Sequence, residues 1–275
     1  MARVVLITSD AAHGRRILQA VAGRRLTLDA VLYVAGDFGF PDRRGLSFVG
    51  RLLRWPKWSI AAARRRRAFR RDRHHEYAQH STRVIATGLV NSRALVRDLR
   101  ALAPDWIVVA VGDILSTEVI ETARCGVLNA HPGLLPWIRG NGVTGASLEE
   151  NIAIGATVHL VDRGIDTGPI IERRLLDVAP GSASLAALEA GALALAAAMM
   201  ADTIESVVRG NNPIGVAQDT RHALFRWPDA SGLARRQALA AAGRAHALYR
   251  AWLPLSAGSE RAVLPPGNFD IPKAP

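Results

Sequence analysis

The run Gly126–His131 (GVLNAH) is apolar until Asn129 and His131, near its end. Side chains two apart on a strand share a face, so an amide and an imidazole would stand side by side. Pro132-Gly133-Leu134-Leu135-Pro136 follows, a turn stiff enough to set where the strand stops. Farther on, Asp162-Arg163-Gly164-Ile165-Asp166-Thr167-Gly168 carries two acids between glycines. A carboxylate beside an imidazole raises the imidazole pKa and can accept a proton in turn. An asparagine amide offers N–H donors to a developing oxyanion. Asn129, His131 and Asp166 together suit acyl or formyl transfer to a nucleophile with no covalent enzyme intermediate. Taken singly, each has a plainer reading, a structural histidine or an acidic glycine turn.

Alternating elements must position these groups. Arg3–Thr8 reads as a strand, His13–Ala22 as a helix and Leu28–Ala35 as a strand. Gly36–Gly45 is punctuated like a loop. Strands are expected at Val84–Ala86 and Trp106–Val111, and helices at Ser92–Leu102 and Ser116–Ala123, the last with Ser116 as N-cap. The pattern predicts an α/β, Rossmann-like, mostly parallel sheet, with Asn129 and His131 at the carboxyl end of a strand, where such sheets bind ligands. Ala156–Val161 and Ile170–Leu176 are too close for a helical crossover, so an antiparallel hairpin is expected. A long Ala/Leu helix to about Arg209 and one helical stretch near Leu233–Trp252 complete the reading. The expected organisation is a catalytic domain over 1–205 and a small helical extension with its tail over 206–275.

The 275 residues are 49% hydrophobic, too apolar for disorder and long enough for a sizeable core. Cys125 is the only cysteine, which excludes an intrachain disulfide and a cysteine-rich zinc site and points to a reducing, cytoplasmic compartment. Arg3–Thr8 is too short for a secretory h-region. Ala183–Ala201 has the length of a membrane span but is mostly alanine and carries Glu189, so a buried core helix is expected. The formal net charge is +11, and residues 51–75 hold ten basic side chains against Asp72 alone, +9 of that total.

The motif Asn129-Ala130-His131-Pro132-Gly133-Leu134-Leu135-Pro136, then Arg139-Gly140, then Asp162–Gly168 resembles the folate-dependent formyltransferase family. Its members include glycinamide ribonucleotide transformylase, methionyl-tRNA formyltransferase and nucleotide-sugar N-formyltransferases. The resemblance is strongest over 104–176. It implies Asn129, His131 and Asp166 as catalytic residues and 10-formyltetrahydrofolate as the formyl donor, with no metal. The pterin is then expected between the turn Val111, Gly112, Asp113, Ile114, Leu115 and the loop residues Asp162, Gly164 and Ile165. Ser9, Asp10, Arg139 and Asn141 are the expected contacts to the amine acceptor. Two departures matter. Gly133 stands where the family usually has serine, and Thr8–Gly14 lacks the glycine-rich phosphate cradle of the glycinamide ribonucleotide enzyme. The stretch after about 210 is read as too short and helical for the barrel of the tRNA enzyme.

The favoured acceptor is therefore a small-molecule amine, phosphorylated or nucleotide-linked, and foremost an amino sugar. The alternatives are hydrolysis of 10-formyltetrahydrofolate, aminoacyl-tRNA and another small amine. For the basic segment, one reading is a solvated helix anchored by Trp55, Trp58, Ile60 and Phe69. The others are attraction of a phosphorylated substrate or of an anionic membrane surface. Nucleic acid is the least favoured partner there, because no recognised module surrounds the segment. His74, His75 and His80 read as a solvated helix end rather than a metal site. The oligomeric state is left open, a homodimer included.

Overall fold

The structure, a computed structural model, describes residues 2–34, 63–181, 183–221, 223–226, 232–256, 259, 261–265 and 272. The expected loop at 36–45 and the anchors Trp55, Trp58 and Ile60 lie outside these residues. The chain divides into two compact units, Met1–Val127 and Leu128–Pro275.

In the first unit, β1 (Val4–Thr8), β2 (Ala30–Tyr33), β3 (Val84–Ala86) and β4 (Trp106–Ala110) form a parallel array with β1 between β4 and β2, and β3 beyond β2. Every residue of β1, β2 and β4 is buried, as expected for strands covered on both faces. Helix α1 (Ala12–Gly23) turns Ile17, Leu18 and Val21 inward. The chain is helical again over 63–72 (α2) and at His74–Ala78 (α3). Phe69 fastens α2 to the sheet, stacking on Tyr33 with ring centroids 4.0 Å apart. Helix α4 (Arg93–Leu102) is capped by Ser92, whose hydroxyl accepts the Leu95 N–H at 3.3 Å. Ser116 holds the N-cap position of α5 (Thr117–Ile120), but its hydroxyl accepts no helix N–H, and the helix is shorter than its sequence suggests.

In the second unit, β5 (Gly126–His131), which begins at the boundary, pairs antiparallel with β7 (Gly155–Leu160), and β7 pairs antiparallel with β8 (Ile170–Leu175). The expected hairpin is therefore present. The stretch after 205 contains more than helix. β9 (Leu224–Arg226) lies parallel to β6 (Ile138–Gly140), and β10 (Val263–Leu264) pairs antiparallel with β8. The expected single helix over Leu233–Trp252 is two, α8 (Leu233–Ala241) and α9 (Arg244–Trp252). Gly243, at φ 76°, turns the chain between them through a conformation that favours glycine.

Helix α6 (Val143–Glu149) and the long α7 (Leu185–Val208) share one core with these helices. α7 is long and apolar enough to span a membrane by length and composition, and it packs against β7. Trp252 meets Trp137 edge-on at 5.3 Å, within the cluster that buries Leu134, Ile138, Ala240 and Leu248. The C-terminal helices thus brace the turn after β5 and the short strand β6.

Candidate functional site

Three neighbouring segments of the second unit bring the polar groups together. β5 presents Asn129 and His131, and β7 lies against it with His159 opposite Asn129 and Thr157 opposite His131. Thr157 is buried. Its hydroxyl donates to the Gly133 carbonyl at 2.8 Å and accepts the Leu135 N–H at 3.0 Å, pinning the turn beyond His131. The family serine at position 133 would not fit here unaltered. A Cβ on Gly133 would lie 2.9 Å from His131 Nε2 and 3.0 Å from Val143 Cγ2.

The loop between β7 and β8 delivers Asp166. Asp162 closes it by accepting the Gly164 N–H at 2.9 Å and the Thr167 hydroxyl at 2.6 Å. Gly168 must be glycine, because a Cβ there would sit 2.0 Å from the Leu160 carbonyl oxygen. Asp166 itself takes φ 54°, the left-handed region. Its Oδ2 accepts the Gly140 N–H at 2.9 Å and lies 3.5 Å from His131 Nδ1. Its Oδ1 lies 3.4 Å from Asn129 Nδ2 and 3.6 Å from His159 Nε2.

The hydrogen bonds assign the protons. His131 Nε2–H donates to the Ile138 carbonyl at 3.1 Å, which leaves Nδ1 facing Asp166. His159 Nδ1–H donates to the Leu160 carbonyl at 2.7 Å, so its Nε2 accepts one Asn129 amide hydrogen at 3.1 Å. The other Asn129 amide hydrogen points at Asp166. Both imidazoles are nearly inaccessible, His131 at 3% and His159 at 2%. Burial pulls the His131 pKa below its ordinary value, against the opposing pull of Asp166. For Asp166 burial works against ionisation, yet His131, His159 and the Gly140 N–H outweigh it and hold the carboxyl well below the usual range. The resting pair is a neutral imidazole beside a carboxylate, which can accept a proton at Nδ1 and stabilise the cation so formed.

His159 is absent from the sequence reading. Its only signal was a polar side chain near the end of an apolar strand, and strand pairing had to be known to set it opposite Asn129.

The remaining expected residues are placed as follows. Arg139, on β6, donates from Nη1 to the Ile165 carbonyl at 3.3 Å, beside Asp166. Asn141 is exposed, and its Oδ1 accepts the Gly142 N–H at 2.8 Å. In the first unit, Asn91 fixes the turn after β4. Its Nδ2 donates to the Ile114 carbonyl at 2.8 Å and its Oδ1 accepts the Ser116 N–H at 2.7 Å. Ile114 is exposed there and Leu115 is buried, with Val111, Gly112 and Asp113 preceding them. Asp10, at φ 60°, accepts the Tyr77 hydroxyl at 2.8 Å, with Arg15 and Arg73 within 3.8 Å of its carboxylate. Ser9 precedes it at the end of β1. Among the described residues, no group of three or more His, Cys, Asp or Glu is placed to hold a metal ion.

The chain is similar in sequence and fold to known formyltransferases. A methionyl-tRNA formyltransferase from Chloroflexus aggregans is 38% identical over 105 residues, 38% of this chain and 34% of that protein. One from a Roseiflexus species is 33% identical over 129 residues, 46% of this chain and 39% of that protein. The matched stretch thus spans little more than a third of these curated relatives. Among solved structures, an N-formyltransferase from Helicobacter canadensis, in complex with folinic acid and dTDP-3-aminofucose, shares the fold with a TM-score of 0.53. It is 15% identical, over 82% of this chain and 71% of that one. A sugar N-formyltransferase from a Shewanella species gives a TM-score of 0.52 at 16% identity, over 82% and 76% of the two chains. A glycinamide ribonucleotide transformylase from Symbiobacterium toebii gives 0.51 at 21%, over 76% and 89%. Residues 61–204, just over half of the chain, match the family described as formyl transferase. That stretch contains the whole Asn129–His131–His159–Asp166 cluster, and the chain belongs to the formyl transferase family.

Proposed function

We propose that this chain transfers a formyl group from 10-formyltetrahydrofolate to a primary amine, foremost the amine of a nucleotide-linked amino sugar. The observation that carries this reading is the buried convergence of Asn129, His131 and Asp166, with His131 Nδ1 3.5 Å from the carboxylate. The donor, when bound, supplies an electrophilic formyl carbon. Asp162, Gly164 and Ile165, in the loop that carries Asp166, are the residues assigned to hold it.

In this mechanism His131 Nδ1 takes up the proton that an attacking amine must lose, Asp166 stabilises the resulting imidazolium, and His131 returns that proton to the donor nitrogen as its bond to the formyl carbon breaks. Asn129 turns its 3.4 Å hydrogen from Asp166 toward the formyl oxygen as negative charge grows there. His159 keeps the other amide hydrogen, so the amide cannot present its oxygen instead. The reactive groups are held away from bulk water, which strengthens each of these interactions.

The amino-sugar acceptor draws support from two proteins of the same fold, a sugar N-formyltransferase and an N-formyltransferase in complex with dTDP-3-aminofucose. An aminoacyl-tRNA acceptor is the second reading. It is favoured by the exposed Arg64, Arg65, Arg67, Arg70 and Arg71 on and beside α2 and by the names of the curated relatives. Parallel assays with labelled 10-formyltetrahydrofolate, nucleotide-linked amino sugars and methionyl-tRNA separate them. Label in an amino sugar is the expected result. Label in methionyl-tRNA alone replaces the acceptor, and label released only as formate replaces transfer by hydrolysis.

A further inference from the structure

The loop that carries Asp166 is held from behind by chain beyond residue 204, outside the range that matches the family. Gly215 lies so close to Pro169 that a Cβ would approach the ring at 2.6 Å. Val216 and Ile170 exchange reciprocal backbone hydrogen bonds of 2.8 Å each. Gln218 Nε2 donates to two carbonyls of the loop, Asp166 at 3.1 Å and Gly168 at 2.5 Å. Farther along, β9 pairs with β6, whose Gly140 N–H holds the Asp166 carboxylate. Contacts therefore reach Asp166 from its backbone through 215–221 and from its side chain through β6, which β9 pairs.

The Gln218 amide is committed to this task. Two carbonyl acceptors fix its NH2 end toward the loop, and its buried Oε1 has no hydrogen-bond partner among the described residues. Simple filling of space would be served by an apolar side chain without that cost. Asp166 needs external support, because a non-glycine residue at φ 54° is held against its own backbone preference.

We propose that Gln218 is a positioning residue for Asp166, and that the strap 215–221 splints the loop so that the carboxylate stands at its working distance from His131 and Asn129. The kinetic arm of the test rests on the formyl-transfer reading; the spectroscopic arm does not. Groups facing the carboxylate are His131 and Asn129 from β5, His159 from β7 and the Gly140 N–H from β6, with the Arg139 guanidinium on the adjoining Ile165 carbonyl.

The experiment titrates the full chain, labelled at histidine Cε1, by NMR in wild type, Gln218→Met and Gln218→Asn. Met keeps the length without donors, and Asn is too short to reach both carbonyls, so the pair guards against one variant folding poorly. In both, the His131 resonance is expected to titrate at lower pH, because the carboxylate that favours its charged form has drifted away. kcat is expected to fall on the order of 10- to 100-fold, the scale of an ångström-sized misplacement, with the donor KM within about twofold. A shifted His131 in a chain that formylates no amine supports the positioning role and removes the formyl-transfer reading. An unmoved His131 with unchanged kcat, whatever the melting temperature does, overturns the proposal.

Discussion

Asn129 and His159 face each other across adjacent antiparallel strands, and the amide of one donates to Nε2 of the other at 3.1 Å. The acceptor nitrogen is free for this because the opposite ring nitrogen donates its proton to the Leu160 carbonyl. One buried imidazole thereby decides which end of the asparagine faces the site. The same strand register sets Thr157 behind His131, so β7 acts as the template against which both β5 groups are aligned.

Replacing His159 by leucine tests that template. The substitution keeps an apolar body but leaves an Asn129 N–H unpaired, at a cost of about 1–3 kcal/mol. The variant is expected to remain folded, with a lower urea midpoint, while kcat falls about 10- to 100-fold as the amide loses its orientation. Equilibrium unfolding and steady-state rates on one preparation separate the two effects.

Asp166→Asn retains an acceptor for the Gly140 N–H but removes the charge. The expected loss in kcat is on the order of 100- to 10,000-fold, the range of general acid–base assistance. The acid limb of the rate profile carries a second, signed prediction. Wild-type His131 is already held below its ordinary value by burial, and Asp166 pulls against that trend. Without the carboxylate the limb moves to still lower pH.

Stability should fall on acidification in two stages of the same sign. His131 resists protonation in the folded chain, so the unfolded chain takes up the extra proton as pH drops below about 6.5. The Asp166 carboxyl is depressed, so its contribution is complete above about pH 4 and is lost as pH falls toward its folded value. Urea midpoints between pH 3 and 8 check this, and Asp166→Asn should remove the more acidic stage.

Gly133→Ser would restore the residue usual in the family and should nevertheless impair this chain. Its Cβ would press on His131 Nε2, which donates to the Ile138 carbonyl. An overpacking cost of about 1–3 kcal/mol and a reduced kcat are expected. Wild-type stability and rate in this variant would mean that the imidazole can move aside freely.

What was readable in the sequence follows from local chemistry. The strand ending in Asn129 and His131 and the glycine-punctuated loop with Asp166 carry their own period and turn residues. Strands β1 and β4 announce themselves as continuous apolar runs. The short strands β6, β9 and β10 hold only two or three residues each, too few for a period, and exist because a partner strand lies beside them. The break between α8 and α9 was signalled only by Gly243 inside a run of alanines. His159 and Gln218 lie beyond motif reading for the same reason. Their roles come from cross-strand register and from a strap that returns about fifty residues after Asp166.

The most direct test of formyl transfer through Asp166 is single-turnover release of tetrahydrofolate from 10-formyltetrahydrofolate, with a nucleotide-linked amino sugar, in wild type and Asp166→Asn. Amine-dependent release by wild type is expected, with a rate at least about 100-fold lower in the variant. Equal rates in the two proteins would contradict it, because Asp166 could then have no part in the proton transfer.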